Sequence, residues 1–365
     1  MSGAPSIAAA LIAVDELAAR GSPHWEELVR QARNANLLSR LACALRDRDL
    51  LSGVGAAPRA HLEAALTVAN AQADAVRREV AYVRNALARL DTDIVLLKGA
   101  AYLIAGLPPA RGRVFSDIDI LLPFDRLADA EAELRLHGWS TTHHDAYDQR
   151  YYRQWMHELP PLRHGARMSV LDVHHAILPR TARLKPDSAK LLAASVPIAG
   201  ESRLRVLCPI DMVVHSATHL LHNEELSQGL RDLADLDALL RHFGADASFW
   251  RELPRRAVEL DLSRPLFYGL RYAVRFFGTP IPENLWRALG VGVPSRVLVS
   301  LMDALYERAL DPVAALDAGI ATSMARQALY VRGHWLRMPL PLLARHLCVK
   351  ATRRRESDRE QRRPV

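Results

Sequence analysis

Apolar residues recur three and four positions apart through most of the first ninety positions, the spacing of helices with one buried face. The 6–20 stretch is rich in Ala and Leu, and Pro23 opens a second helical run over 25–48. Pro58 opens a third through Leu90, with Leu62, Leu66, Ala69, Ala73 and Val76 on one face. Proline suits a helix start because the N–H it lacks has no intrahelical partner there. The pattern changes at Asp93. Ile94-Val95-Leu96-Leu97 is a continuous apolar run closed by Lys98-Gly99, as in a buried strand, and 100–105 reads as a short helix ended at Leu107-Pro108-Pro109. Over 116–122, Asp117, Asp119 and Leu121 alternate with Ile118, Ile120 and Leu122, which predicts another strand. A helix over 125–137 stops at Gly138. Strands are expected over 139–144, 151–159 and 168–177, the last built on Val170, Leu171 and Val173. Pro209 opens a helix through Leu221, 227–243 predicts the next, and helices continue to about Arg345, broken at Pro280, Pro282, Pro294 and Pro339. The fold class is therefore α+β: a small mixed β-sheet core over 91–207, flanked by an N-terminal helical region (1–90) and a C-terminal one (208–345), with a basic tail over 346–365.

Half of the 365 residues are apolar and a quarter charged, which excludes a disordered chain. The net charge of +7 is unevenly placed: 350–365 holds seven basic against three acidic residues, a surplus of four. The body is thus nearly neutral, so long nucleic acid is not the expected partner, and the tail reads as a solvated terminus or a contact for an acidic surface. Cys43, Cys208 and Cys348 are widely spaced, with no C-x-x-C pair, which fits a reducing cytoplasm. The apolar run 7–14 lacks a preceding basic residue and meets Asp15 and Glu16 at once, so it reads as a helix and not as a signal peptide. No apolar stretch reaches the ~18 residues of a membrane span. A cytoplasmic protein is expected.

Candidate chemistry centres on Asp117-Ile118-Asp119. Residues two apart on a strand share a face, so the two carboxylates project together. They repel unless a cation lies between them, and hard oxygen donors suit Mg²⁺. Asp172 interrupts the apolar run Val170-Leu171-Asp172-Val173, as a third ligand or as a solvated edge-strand carboxylate. Three such groups can hold two Mg²⁺ ions, or Mn²⁺ in their place, one on a triphosphate and one lowering the pKa of an attacking hydroxyl. His174 shares the face of Asp172, either to orient substrate or bind metal, or as a hydrogen-bonded residue at the sheet rim; His175 points the other way. His143, His144, His157 and His164 show no metal-ligand spacing. Lys98 and Gly99 stand between strand and helix, where backbone N–H groups can receive phosphate and Lys98 adds a point charge. Arg113 and Ser116 precede the carboxylates and can bind triphosphate; Arg111 and Arg113 can equally be loop residues.

In order, Val95-Leu96-Leu97-Lys98-Gly99, Arg113, Ser116-Asp117-Ile118-Asp119-Ile120-Leu121 and Leu171-Asp172-Val173-His174 resemble the uncharacterised nucleotidyltransferase family of the polymerase-β-like superfamily. Cys208-Pro209-Ile210-Asp211-Met212-Val213-Val214-His215, His219 and Leu230-Arg231-Asp232-Leu233-Ala234-Asp235 are similar to its downstream helices, so the resemblance covers 90–242. It implies Asp117, Asp119 and Asp172 as metal ligands, Asp172 nearest the attacking hydroxyl, and Gly99 as the phosphate-binding turn. One departure is Ala100, where the superfamily has a second Gly or a Ser. His215, His219, Asp232 and Asp235 either frame an acceptor pocket or serve helix packing. The expected activity moves a nucleoside monophosphate from a nucleoside triphosphate to a hydroxyl of a small molecule or protein and releases pyrophosphate. The alternatives are a catalytically degenerate module that binds nucleotide or a partner, and a helical scaffold docking through its tail.

Overall fold

The computed structural model describes residues 6–17, 22–141, 145–222, 226–316, 319–339 and 341–343. His143, His144, Cys348 and the 346–365 tail lie outside them. The fold is α+β. Its mixed sheet has seven strands: β1 (Ile94–Leu97), β2 (Ile118–Leu121), β3 (Trp139–Thr141), β4 (Leu162–His164), β5 (Val170–His174), β6 (Val196–Pro197) and β7 (Leu204–Val206). Their order across the sheet is β3-β4-β5-β2-β1-β7-β6. The β2–β5 and β1–β7 pairs are parallel and the rest antiparallel. All four residues of β1 are buried, which is why its sequence is apolar without alternation: both faces are covered.

The helices before and after the sheet belong to one continuous apolar core, which runs from Ile7 to Leu329. The Ala56–Ala86 helix supplies Leu62, Leu66, Val80 and Val83. The Pro209–His222 helix, buried along most of its length, places His219 and His222 in a cavity wall beside Asp119 and Asp172. The Ile320–Arg337 helix is tied to the loop after β5: Arg183 N–H donates to Leu336 O (2.9 Å) and Thr181 Oγ1 to Arg337 O (2.7 Å). Among the described residues no helix is long and apolar enough to cross a membrane.

Three local expectations change. The 25–48 run is two helices, Ser22–Asn34 and Leu38–Arg46, parted at Asn36, whose φ of 53° is a left-handed conformation that Asn adopts more easily than most residues. Instead of a strand over 151–159, the chain forms the helix Ala146–Trp155. Asp145 caps it, accepting from the N–H groups of Tyr147 and Asp148, and Tyr147, Tyr151 and Trp155, four apart, meet along one side, Tyr147 stacked on Tyr151 and Trp155 edge-on to it. Aromatic residues favour strands only when a sheet face receives them, and here the helical spacing prevails. The strands β4, β6 and β7 were not anticipated, since two or three residues are too few to display an alternation.

Candidate active site

Lys98 stands at the elbow where β1 turns into the Lys98–Ile104 helix. Its φ of 46° is uncommon for a residue with a Cβ. Its Nζ donates to Asp119 Oδ1 at 2.8 Å, a contact that ties the elbow to the neighbouring strand. Asp119 lies beside Asp172 in the parallel β2–β5 register, so both carboxylates leave the sheet on the same side. Asp117 sits just ahead of β2, two residues from Asp119, and accepts from Ser116 Oγ at 3.0 Å. His174, two residues beyond Asp172, donates from Nε2 to Asp119 Oδ1 at 2.9 Å. The structure therefore gathers Lys98, Ser116, Asp117, Asp119, Asp172 and His174 around the ends of three adjacent strands.

The carboxylates differ sharply in electrostatics. Burial acts to raise Asp119, but Lys98 and His174 outweigh it and hold the group well below the usual range. Burial and the charges of Asp119 and Glu158 push Asp172 up to about 7. Asp117 is raised by burial and by Asp119. Side-by-side carboxylates cannot all ionise cheaply, and here the one with the cationic partners takes the charge. Asp172 Oδ1 is buried with no hydrogen-bond partner.

Two cavities meet at this cluster. One, of about 280 Å³, is lined by Lys98, Ser116, Asp117 and Asp119 together with Arg231 and Asp232 of the Gly229–Phe243 helix. The other, of about 190 Å³, is lined by Asp172, His174, His157 and Glu158. Lys98, Asp119 and His219 belong to both walls. A wider groove of about 690 Å³ continues from Ser116 and Asp117 along the Ala56–Ala86 helix.

Arg113 and Gly99 are placed together for a reason the sequence did not display. Arg113, 8 % exposed, donates through Nε to Asp235 Oδ2 at 2.9 Å, and Arg40 pairs with the same carboxylate. The Arg113 guanidinium lies over Gly99, where an added Cβ would come within 2.9 Å of Cζ. Gly99→Ala is accordingly expected to lower stability by about 1–3 kcal/mol, the usual cost of overpacking, read as a lower urea midpoint. An unchanged midpoint would show that Arg113 can move aside freely.

Among the residues singled out only as helical, Asp235 proves to be the buried partner of two arginines, and Asp232 lines the 280 Å³ cavity beside Arg231. Their spacing, three apart on one helix, was the available signal. Glu158 was missed, and His157 was set aside for want of metal-ligand spacing. The second strand-like bridge that brings them to β5 has no sequence pattern, although His157 and His174 stand with ring centroids 5.2 Å apart. His175 does lie apart, its ring edge-on to Phe124.

Burial depresses five histidines: His157 and His219 well below the usual range, His215 to about 3, and His175 and His222 to about 4. A histidine that titrates near 6.5 when unfolded and lower when folded leaves stability intact above that pH and erodes it as pH falls toward the folded value. Each is expected to cost about 1.4 kcal/mol per pH unit within its window. His215→Gln should flatten the fall of the urea midpoint between pH 6.5 and 4.5, and an unaltered slope would contradict a neutral buried His215.

A family model described as an uncharacterised nucleotidyltransferase matches residues 21–278 and places the chain in the nucleotidyltransferase class. The chain belongs to that family. The match extends beyond 90–242 on both flanks and ends at Gly278, the left-handed residue capping the Ser263–Phe277 helix. No curated protein matches the chain significantly.

Proposed function

We propose that the protein transfers a nucleoside monophosphate from a nucleoside triphosphate to a hydroxyl of a small molecule or protein, releasing pyrophosphate. The observation that carries this reading is the register of Asp119 beside Asp172 on parallel neighbours, with Asp117 two residues upstream. Asp119 and Asp172, side by side in register, with Asp117 two residues upstream, are all-oxygen donors of the kind Mg²⁺ or Mn²⁺ takes and would hold it, Asp172 Oδ1 being buried and unpartnered; they would have to draw together to do so, since among the described residues only His157, Glu158 and His174 bring three ligand atoms within 4.8 Å of one another. When bound, the metal neutralises triphosphate charge and makes the acceptor hydroxyl more acidic. Asp172, nearest the attacking hydroxyl, takes its proton. The acceptor oxygen bonds to the α-phosphorus, and the bond from that phosphorus to the bridging oxygen of pyrophosphate breaks. Lys98 and the backbone of the Gly99 turn bind phosphate oxygens, and Ser116 orients Asp117. Arg113 lines the same cavity as Asp117 with its charge anchored by Asp235, so it contributes a fixed positive field. His219 stands where the two cavities join and positions the acceptor.

The test is calorimetry with ATP, CTP, GTP and UTP, with and without Mg²⁺. At least one is expected to bind only with the metal, and Asp117→Asn to remove that binding. Absence of metal-dependent binding for all four would end the proposal. The engagement of Asp119 by both Lys98 and His174 favours a second reading, a nucleotide-binding module without turnover. Pyrophosphate release on adding a metabolite extract separates the two.

A further inference from the structure

Three donors outside the aspartate set converge beside β5. His157 and Glu158 lie on a short extended segment bridged to β5 at Glu158–His174. Leu159 N–H donates to Val173 O (2.9 Å) and His175 N–H to His157 O (2.8 Å), so the backbone fixes both side chains against His174. One donor atom from each of His157, Glu158 and His174 lies within 4.8 Å of the other two. His174 is 4 % exposed. Its Nε2 donates to the Asp119 carboxylate, which leaves Nδ1 as the ring atom facing Glu158. That Nδ1 stands 3.2 Å from Glu158 Oε2 yet makes no hydrogen bond, and His157 Nδ1 is likewise buried without a partner. The arrangement matches metal-binding histidines, which donate their other ring N–H to a carboxylate.

We propose that His157, Glu158 and His174 form a second cation site, selective for an imidazole-preferring divalent metal of the zinc class, with the adjoining 190 Å³ cavity leaving room for water ligands. Two imidazoles and one carboxylate suit such metals, whereas Mg²⁺ prefers oxygen alone. The site shares no ligand with Asp117, Asp119 and Asp172, and it stands whether or not nucleotide is transferred.

The experiment is equilibrium dialysis of the chelator-stripped full chain against Zn²⁺ in excess Mg²⁺, with bound metal measured by mass spectrometry. The wild type is expected to retain one equivalent, and Asp117→Asn to retain it too. Glu158→Gln and His157→Gln should weaken binding about tenfold or more. X-ray absorption at the zinc edge of the wild type should show imidazole nitrogen in the coordination shell, a readout independent of how the variants fold. The proposal is overturned if the wild type binds no zinc, if the spectrum lacks imidazole, or if zinc is lost in Asp117→Asn and kept in Glu158→Gln. Failure of nucleotide binding with zinc retained would sink the transferase reading alone.

Discussion

Asp172→Asn is expected to lower nucleotidyl transfer about 10³-fold while leaving the protein at least as stable as the wild type. The substitution keeps the shape of the side chain but removes both its negative charge and its capacity to take a proton. In the metal-free protein that charge is unwelcome: burial, Asp119 and Glu158 all raise Asp172, to about 7. A carboxyl raised on folding penalises the folded state increasingly as pH climbs from its unfolded value near 3.9 toward 7. The stability gain of the variant should therefore be present at pH 8 and vanish near pH 4, read from urea midpoints in chelator. Gain of stability with loss of turnover is the mark of a group retained for chemistry. A variant that turns over normally would remove Asp172 from the mechanism.

Asp235→Ala should produce the largest loss of stability, about 3–5 kcal/mol, because it strands two cations in the interior. Arg113 is 8 % exposed and pairs through Nε with Asp235 at 2.9 Å, and Arg40 meets the other carboxylate oxygen. Burial alone would raise Asp235; Arg40 and Arg113 instead lower it. A depressed carboxyl contributes its full stability above the unfolded pKa and loses it as pH falls through the folded one. The gap between wild type and variant should accordingly hold its size above about pH 4 and shrink below it. A gap under about 1 kcal/mol would mean that water already solvates the two arginines. Since Arg113 packs on Gly99, the variant should also disturb the elbow that carries Lys98.

What could be read in the chain followed physical periodicity. Ile94–Leu97 and Val170–His174 were legible because buried strands must be apolar, and the alternation around Asp119 showed which side chains share a face. The pairing of Asp119 with Asp172 was legible only through the family resemblance, since register between strands 50 residues apart leaves no local trace. The Ala146–Trp155 helix was missed although Tyr147, Tyr151 and Trp155 stand four apart, the spacing of one helix face. The Arg113–Asp235 pair, 122 positions apart, depends on how a late helix packs against the Pro108–Ala110 turn, which no window of sequence encodes.

Lys98 and His174 resting on Asp119, with Asp172 near its half-protonated point at neutrality, have a developmental consequence. The charge of Asp119 is offset from within the chain, by Lys98 and His174. The polypeptide is expected to reach its folded shape in ion-poor surroundings, unlike small zinc domains that stay unravelled until the ion arrives.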